Sequence, residues 1–182
     1  MALIGVEPGS GRTLWSYPFR QTFWQQSTVT PAVVDGVIVI SGEGRPLLGL
    51  QPRRVDGAWR VEERWRNRRH SLNLTSPLHS GGLIYALSSR DRGRLFSLDP
   101  ANGEVLWEGA GRTAEFASLV ATPAHILVLT SGAQLSVFDA GTVSGQSLAS
   151  YSVADSPTWA HPVPLDGGIL IKDAETLSLW SW

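Results

Sequence analysis

Short apolar runs bounded by turn residues recur along this chain. Four of them are VIVIS at 37–41, LIYAL at 83–87, ILVLT at 126–130 and ILIKD at 169–173. Runs of this length, rich in β-branched residues and flanked by Gly, Pro, Asp and Ser, predict buried β-strands. No segment shows a sustained helical period, so the pattern predicts an all-β protein.

Each run follows a similar lead segment: TPAVVDGVI at 30–38, SPLHSGGLI at 76–84, SLVATPAHI at 118–126 and HPVPLDGGI at 161–169. The second positions of these segments, Pro31, Pro77, Leu119 and Pro162, lie 46, 42 and 43 residues apart. A unit of this size with two hairpins matches the four-stranded antiparallel blade of a β-propeller. We therefore predict a propeller with about four blades' worth of sequence.

A second repeated feature is a turn that leads to an aromatic residue. DPANGEVLW at 99–107 is closely matched by EPGSGRTLW at 7–15. Asn102-Gly103 favours the positive backbone angles of a tight turn, and the Asp99 side chain can accept hydrogen bonds from turn amides. A large flat ring in the outermost strand can then lie across the neighbouring blade. The predicted blade-docking residues are Trp15, Trp65, Asp99, Gly103, Trp107 and Tyr151.

These turns resemble the signature Leu-Asp-x-x-Thr-Gly-x-x-x-Trp of the tryptophan-docking propellers built from pyrroloquinoline-quinone-like (PQQ-like) repeats. SLDPANGEVLW at 97–107 departs from it at Asn102, and GVEPGSGRTLW at 5–15 departs at Glu7 and Ser10. The copies that end at Trp65 and Tyr151 are more degenerate. The resemblance covers nearly the whole chain and implies a ring of seven or eight blades.

The predicted blade units are 1–20 (half a blade), 21–67, 68–109, 110–154 and 155–182 (incomplete). Seventeen predicted strands do not make a whole number of blades, so we expect the C-terminal half of a longer propeller whose N-terminal blades are missing here. A four-bladed ring closed on itself is the alternative. A half ring would expose strand edges and blade faces.

Charge and composition exclude several classes of function. The formal net charge is -1 and the pI is about 6.4, so no global positive field would attract nucleic acid. The absence of cysteine excludes disulfides and thiol nucleophiles. The chain shows neither an 18-residue apolar stretch nor a signal-peptide pattern, so we expect no membrane insertion and no export signal within it. The family resemblance nevertheless implies a periplasmic or other extracytoplasmic location.

Loops between blades and between the second and third strands share one face of a propeller, where partners commonly bind. The basic run at 64–70 is the densest charge cluster; it is either an anion or acidic-partner site or a solvated loop. The two histidines His79 and His161 either face the channel or are structural. The candidate binding face comprises Arg45, Arg68, Arg69, Arg90, Arg92, Trp159 and His161, and Trp24 is either an exposed anchor or part of the core.

Two main functions are consistent with these features. The first is a non-catalytic scaffold that presents the loop face to a protein or an extended ligand and needs no cofactor. The second, implied by the resemblance, is part of a quinoprotein that oxidises alcohols or sugars with pyrroloquinoline quinone (PQQ) and calcium, which only the full-length protein could hold. No metal-binding histidine spacing, no catalytic serine motif and no identifiable calcium-ligand set support the second function. In a third, the repeats serve domains outside this chain.

Overall fold

A computed structural model of the protein describes residues 1–20, 28–90, 93–141 and 145–181. These residues form β-strands, turns and loops, with no α-helix among them. In these ranges no helix is long and apolar enough to cross a membrane. The strands are β1 (Ala2–Val6), β2 (Thr13–Pro18), β3 (Ala32–Val34), β4 (Val37–Ile40), β5 (Leu47–Val55), β6 (Ala58–Asn67), β7 (Leu78–Ser80), β8 (Leu83–Ser88), β9 (Arg94–Leu98), β10 (Val105–Glu108), β11 (Ala117–Ala121), β12 (His125–Thr130), β13 (Gln134–Asp139), β14 (Ala149–Ser152), β15 (Val163–Leu165), β16 (Gly168–Lys172) and β17 (Leu177–Ser181).

The strands pair with their chain neighbours in antiparallel sheets. Strands β3–β6, β7–β10 and β11–β14 each form a four-stranded sheet, β1–β2 forms a two-stranded sheet and β15–β17 forms a three-stranded sheet. Tight hairpins join strands within a sheet. In one of them Asp35 and Gly36 have φ of 47° and 78°, the left-handed angles that two-residue hairpins require. The prediction of an all-β fold with four-stranded antiparallel blades is confirmed.

The hydrophobic core lies between successive sheets. Leu47, Trp65 and Phe96 belong to the cluster that joins the β3–β6 sheet to the β7–β10 sheet. Further clusters join β7–β10 to β11–β14, β11–β14 to β15–β17, and β1–β2 to β3–β6. Strand β8 is buried on both faces, which explains why it is a continuous apolar run rather than an alternating one.

The antiparallel order places two kinds of connection at one end of the sheets. The loops between the second and third strands of a sheet and the connections from one sheet to the next share this end. We call it the loop face; in the described residues it comprises 19–20, 28–31, 41–46, 68–77, 89–90 with 93, 109–116, 131–133, 153–162 and 173–176. The opposite end carries the hairpins between first and second and between third and fourth strands.

Candidate functional site: a loop-face groove held on docked blades

Trp65 in β6 joins two neighbouring sheets. Its indole is 8% exposed, and its Nε1 donates a hydrogen bond of 2.8 Å to the carbonyl oxygen of Pro100 in the next sheet. The ring also covers Gly103, where an added Cβ would lie 2.4 Å from the ring atom Cε3. Asn67 Nδ2 donates a second hydrogen bond across the same junction, to the carbonyl oxygen of Gly103 at 2.9 Å. The junction is thus fixed by both apolar contact and polar pairing.

The turn that receives Trp65 is held by its own hydrogen bonds. Asp99 Oδ1 accepts from the Ala101 amide at 2.8 Å, and the Gly103 amide donates to the Asp99 carbonyl oxygen at 2.8 Å. Gly103 has a φ of 74°, which favours glycine. The DPANG segment therefore serves as a preformed receptor for the indole of the preceding sheet.

A small residue lies opposite each docked tryptophan on the adjacent strand. Trp15 pairs with Gly5, Trp65 with Gly49 and Trp107 with Ser97. A Cβ added at Gly5 or Gly49 would lie 2.2 Å from the indole, so the ring folds flat over the missing side chain. Trp107 extends to Gly145 in the following sheet, where an added Cβ would lie 1.9 Å from its ring.

The fourth sheet uses different residues at these positions. Gly49 pairs with Val39 and Ser97 pairs with Tyr85, each at the same position of the second strand. The residue at that position in the fourth sheet is Leu127, and it pairs with Val137 of β13. Val137 therefore corresponds to Gly49 and Ser97. Val137 pairs with Ala149, so Ala149 stands where the other sheets have tryptophan.

Tyr151 lies two residues beyond that position and pairs with Leu135. Its side chain is 53% exposed, and it lines an apolar cleft of about 810 Å³ between the last two sheets. Tyr151 therefore does not occupy the docking position that its place after the turn suggested.

The loop face carries an open groove of about 630 Å³, which we call the loop-face groove. Four consecutive loops supply its walls: β4–β5, β6–β7, β8–β9 and β10–β11. The lining residues are Glu43, Gly44, Ser71, Asn73, Leu74, Ser89, Arg90, Gly93, Arg112 and Glu115. Of the residues predicted for the candidate binding face, Arg90 lines this groove.

Hydrogen bonds between the loops fix the shape of the groove. The Ser89 amide donates to the Ser71 carbonyl oxygen at 2.7 Å, and the two serine hydroxyls lie 2.7 Å apart. The Thr113 amide donates to the Gly93 carbonyl oxygen at 2.6 Å. Gly93 is required there, because an added Cβ would lie 1.5 Å from the Ala114 carbonyl oxygen. Contacts within the protein therefore fix the shape of the groove, which is preformed.

In each larger sheet a short polar side chain at the end of the second strand, or directly after it, anchors the loop that follows. Ser41 Oγ donates to the Arg45 carbonyl oxygen at 3.1 Å, Ser88 Oγ accepts from the Arg90 amide at 3.2 Å, and Thr130 Oγ1 accepts from the Gln134 amide at 3.2 Å. Ser41 and Thr130 stand last in the runs VIVIS and ILVLT, and their anchoring of the following loop was not predicted from the sequence.

Asp173 occupies the same position in the last sheet. Its Oδ1 accepts from the amides of Glu175 at 2.8 Å and Thr176 at 2.5 Å. These backbone donors stabilise the carboxylate and lower the pKa of Asp173 below its ordinary value.

Trp159 lies on the loop face with its ring largely in solvent. The indole is 56% exposed and stacks on the ring of Phe116, with centroids 5.0 Å apart and planes inclined by 21°. Phe116 directly follows Glu115 of the groove wall, so the aromatic pair is anchored next to the groove. His161 is exposed two residues further along the same loop, and His79 is exposed on β7.

Arg45 is buried rather than presented on the loop face. It is 7% exposed, its guanidinium lies 4.3 Å from the Phe19 ring centroid, and Nη1 donates to the Phe19 carbonyl oxygen at 3.4 Å. Burial lowers the pKa of Arg45. Its role in this structure is to attach the first loop of the groove to the end of β2.

The basic run divides into different environments. Arg68 is exposed, whereas Arg69 donates to Glu108 at 2.5 Å. Glu108 also lies 2.8 Å from the Nε2 atom of His70, a residue that is 1% exposed and stacks on the Phe96 ring at 4.0 Å. Arg94 approaches the same carboxylate at 3.5 Å. This cluster attaches the β6–β7 connection to strands β9 and β10 of the following sheet. Arg92 and Trp24 lie outside the described residues.

The comparisons with known proteins agree with this architecture. A family model described as outer membrane protein assembly factor BamB matches residues 2–177. The chain belongs to this BamB family of PQQ-like propellers. The predicted resemblance is thereby confirmed. No curated protein sequence matches the chain.

Solved structures give the same fold at low sequence identity. BamB from Moraxella catarrhalis matches with a TM-score of 0.70 and 20% identity, over 94% of this chain and 50% of that chain. The computationally designed protein Ika4 matches with a TM-score of 0.61 and 13% identity, over 86% of this chain and 92% of that one. The WD40 β-propeller domain of Doa1 matches with a TM-score of 0.59 and 14% identity, over 82% of this chain and 49% of that chain. This chain thus spans about half the length of the Moraxella BamB chain.

Calcium and PQQ are the groups that the quinoprotein alternative would require. Across residues 1–20, 28–90, 93–141 and 145–181, no three His, Asp or Glu side chains converge in a way that could hold a metal ion. The quinoprotein alternative thus stays a prediction, and the loop-face groove is the arrangement on which a function is proposed below.

Proposed function

We propose that this protein is a non-catalytic propeller scaffold that binds a protein partner through its loop face. The observation that carries this proposal is the loop-face groove, whose walls come from four loops and are tied together by hydrogen bonds. A preformed surface loses little conformational entropy on binding. Trp159 supplies an exposed aromatic side chain beside the groove, and tryptophan and arginine are the residue types most enriched at binding hot spots.

Family membership suggests where the scaffold works. The matching family model carries the description outer membrane protein assembly factor. We extend this to the present chain as a proposal: it acts outside the cytoplasm, in the periplasm, as a binding component of a machinery at the outer membrane.

We propose further that additional N-terminal blades of the same propeller complete the ring. Apolar side chains are exposed on the outward faces of the first and last sheets, including Ile4 and Val6 at one end and Leu177 and Leu179 at the other. Every other described sheet covers such a face with a neighbouring sheet. The match to half of the Moraxella BamB chain supports the same view.

Site-specific photocrosslinking tests the scaffold function. A photoreactive phenylalanine analogue replaces Arg90 or Trp159 in the full-length protein, which is expressed in its native host. The control position is Asp56, in the β5–β6 hairpin at the end of the sheets opposite the loop face. The proposal expects one discrete protein adduct from the two loop-face positions and none from position 56. Equal labelling from all three positions, or no protein adduct, would contradict it.

Sedimentation of the chain alone and of the chain extended upstream in its reading frame tests the completion of the ring. Exposed apolar faces predict self-association of the chain alone and a monodisperse, cooperatively melting extended protein. A stable monomer of the chain alone would contradict the proposed missing blades.

A further inference from the structure

The β5–β6 hairpin continues beyond the rest of its sheet as a two-stranded ribbon. Strand β5 pairs with β6 along its whole length, whereas β4 pairs with β5 only at Leu48–Leu50. Every residue from 53 to 60 is exposed, and we call this segment the hairpin tip. Asp56 and Gly57 close it in a tight turn, with φ of 50° and 80°. The tip therefore presents its side chains to solvent from a regular, paired backbone.

Two arginines lie directly opposite each other at the hairpin tip. Arg53 in β5 is the pairing partner of Arg60 in β6. Side chains of directly opposite residues leave the ribbon on the same face, and like charges in this relationship destabilise a sheet. The guanidinium of Arg53 donates to the side-chain oxygen of Gln51, which carries no charge. A destabilising pair at an exposed position points to a role in binding rather than in folding.

The hairpin tip carries more positive than negative charge. Its charged residues are Arg53, Arg54 and Arg60 against one carboxylate, Asp56, which gives +3 and -1 and a net charge of +2. Among the ion pairs of the described residues, none includes any of these three arginines. The tip therefore favours an anionic ligand.

The charges next to the hairpin tip do not cancel this excess. Glu62 forms an ion pair with Arg64 at 3.6 Å. Glu63 forms another with Arg66 at 2.6 Å. Asp35 in the β3–β4 turn of the same sheet is a further carboxylate at this end, and counting it still leaves the three arginines in excess.

Exposed apolar side chains accompany the arginines. Val55 is 39% exposed and Trp59 is 37% exposed. Because side chains alternate between the two faces of a strand, Val55 shares the face of Arg53 and Arg60. Trp59 lies on the other face beside its pairing partner Arg54, whose Cζ atom is 6.0 Å from the indole centroid. Both faces of the tip thus combine positive charge with an apolar group.

The size and composition of the hairpin tip favour a lipid surface over a protein partner. A standard protein interface takes about 20–30 residues from each side, whereas the tip offers only residues 53–60. Anionic lipids attract arginine side chains close to the membrane surface, and tryptophan is enriched at the level of the headgroups. Mobile headgroups can also arrange around a narrow ribbon.

We infer that the hairpin tip docks on an anionic phospholipid bilayer, with lipid phosphates at Arg53 and Arg60 and Trp59 among the headgroups. Guanidinium groups bind phosphate oxygens through parallel hydrogen bonds, so two adjacent arginines suit this ligand. The chain as a whole carries a net charge of -1, which confines the attraction to this hairpin. The tip lies at the end opposite the loop face, so bilayer contact leaves the loop face open to a protein. This inference goes beyond the proposed scaffold function.

Sedimentation with vesicles tests the lipid specificity. The full-length protein is mixed with vesicles of phosphatidylcholine alone, or of equal parts phosphatidylcholine and phosphatidylglycerol. Binding should be at least about 10-fold stronger to the mixed vesicles, because each arginine near an anionic surface contributes about 1 kcal/mol. It should weaken between about 50 and 200 mM salt, since salt screens the attraction.

Paired charge changes locate the contact. R53Q/R60Q should weaken binding to the mixed vesicles at least about 10-fold. R12Q/R20Q removes the same charge from exposed arginines outside the hairpin and should change binding by less than about 2-fold. R53Q/R60Q should melt no lower than the wild type, because it removes a pair of like charges. If R53Q/R60Q fails to fold, R60Q alone should weaken binding by about 5-fold.

A fluorescent probe reports which end of the protein meets the bilayer. The full-length protein, made free of other cysteines, carries an environment-sensitive dye at A58C in the hairpin tip or at A110C on the loop face; both alanines are exposed. Mixed vesicles should shift the emission of the dye to the blue at position 58 and leave it unchanged at position 110.

Four results would overturn the inference. They are equal binding to both kinds of vesicle, equal weakening by the two arginine pairs, equal shifts at positions 58 and 110, and binding to polyglutamate or duplex DNA without binding to mixed vesicles. Photocrosslinking from Arg90 and Trp159 does not involve the hairpin. Failure of the vesicle experiments would therefore reject the bilayer contact and leave the scaffold function to its own test.

Discussion

The indole of Trp65 lies flat over Gly103 of the next sheet. A Cβ at Gly103 would be 2.4 Å from the ring atom Cε3, and the same indole donates its Nε1 hydrogen to Pro100. The contact joins an outermost strand to a turn more than 30 residues later in the chain. Each of these docked turns therefore determines how closely two blades approach, and through them the spacing of the loops that form the groove.

G103A should be strongly destabilising for two separable reasons. Alanine at a φ of 74° costs about 1 kcal/mol, and the added methyl group also collides with the Trp65 ring. G57A is the matched control, since Gly57 has a φ of 80° and nothing within 4 Å of the added Cβ. In urea unfolding, the loss of unfolding free energy for G103A should exceed that for G57A by about 1–3 kcal/mol. Equal losses would mean that the docked ring does not restrict this turn.

Features of this arrangement could be predicted from the sequence where residues close together in the chain determine them. The strands, hairpins and the DPANG turn follow from short patterns, so the sequence alone predicted them. Ala149 could not be identified, because its position depends on the pairing of β13 with β14, and that register is set by contacts rather than by spacing. Spacing from the turn alone therefore predicts Tyr151 as the docking residue, whereas the register assigns that position to Ala149.

The groove was hard to predict for a related reason. Its walls are held by bonds between loops of different blades, such as Ser71 with Ser89 and Thr113 with Gly93. These pairs are far apart in sequence and carry no motif. Arg45 shows the same limit, since its burial against Phe19 depends on how two sheets meet.

A tryptophan can be introduced into the fourth sheet only together with a smaller partner. In the first two sheets a Cβ added opposite the tryptophan, at Gly5 or Gly49, would lie 2.2 Å from the ring, and in the third sheet the opposite residue is the small Ser97. A149W should therefore destabilise the protein while Val137 is present, and V137G should cost stability by opening a cavity. In the A149W/V137G double variant the ring fills the space left by Val137. A double-mutant cycle should show a favourable coupling of at least about 1 kcal/mol, whereas additive losses would contradict the proposed size complementarity.

Glu108 is expected to be the most sensitive charged residue outside the groove. Its carboxylate contacts the buried His70 and the half-buried Arg94, so E108Q removes the negative charge that faces both side chains. Removal of one partner from such a cluster lowers the free energy of unfolding by about 3 kcal/mol, whereas the contact with the exposed Arg69 contributes little to stability. E104Q, at an exposed glutamate four residues earlier, should change the unfolding free energy by less than about 0.5 kcal/mol. Similar small losses for both variants would show that the cluster does not stabilise the junction.

Asp173 should make the stability of the last sheet depend on acid pH. Its folded pKa lies below the ordinary value of 3.8, because backbone amides of Glu175 and Thr176 bind the charged form. A depressed folded pKa adds stability that is fully present above pH 3.8 and is lost as the pH falls through the folded pKa. D173N keeps an acceptor but has no charge, so its difference from the wild type should be constant near neutral pH and shrink below pH 3.8. Thermal melts across this range measure it, with D155N at an exposed site as the control. A difference that stays constant throughout the acid range would assign the effect of D173N to shape instead of charge.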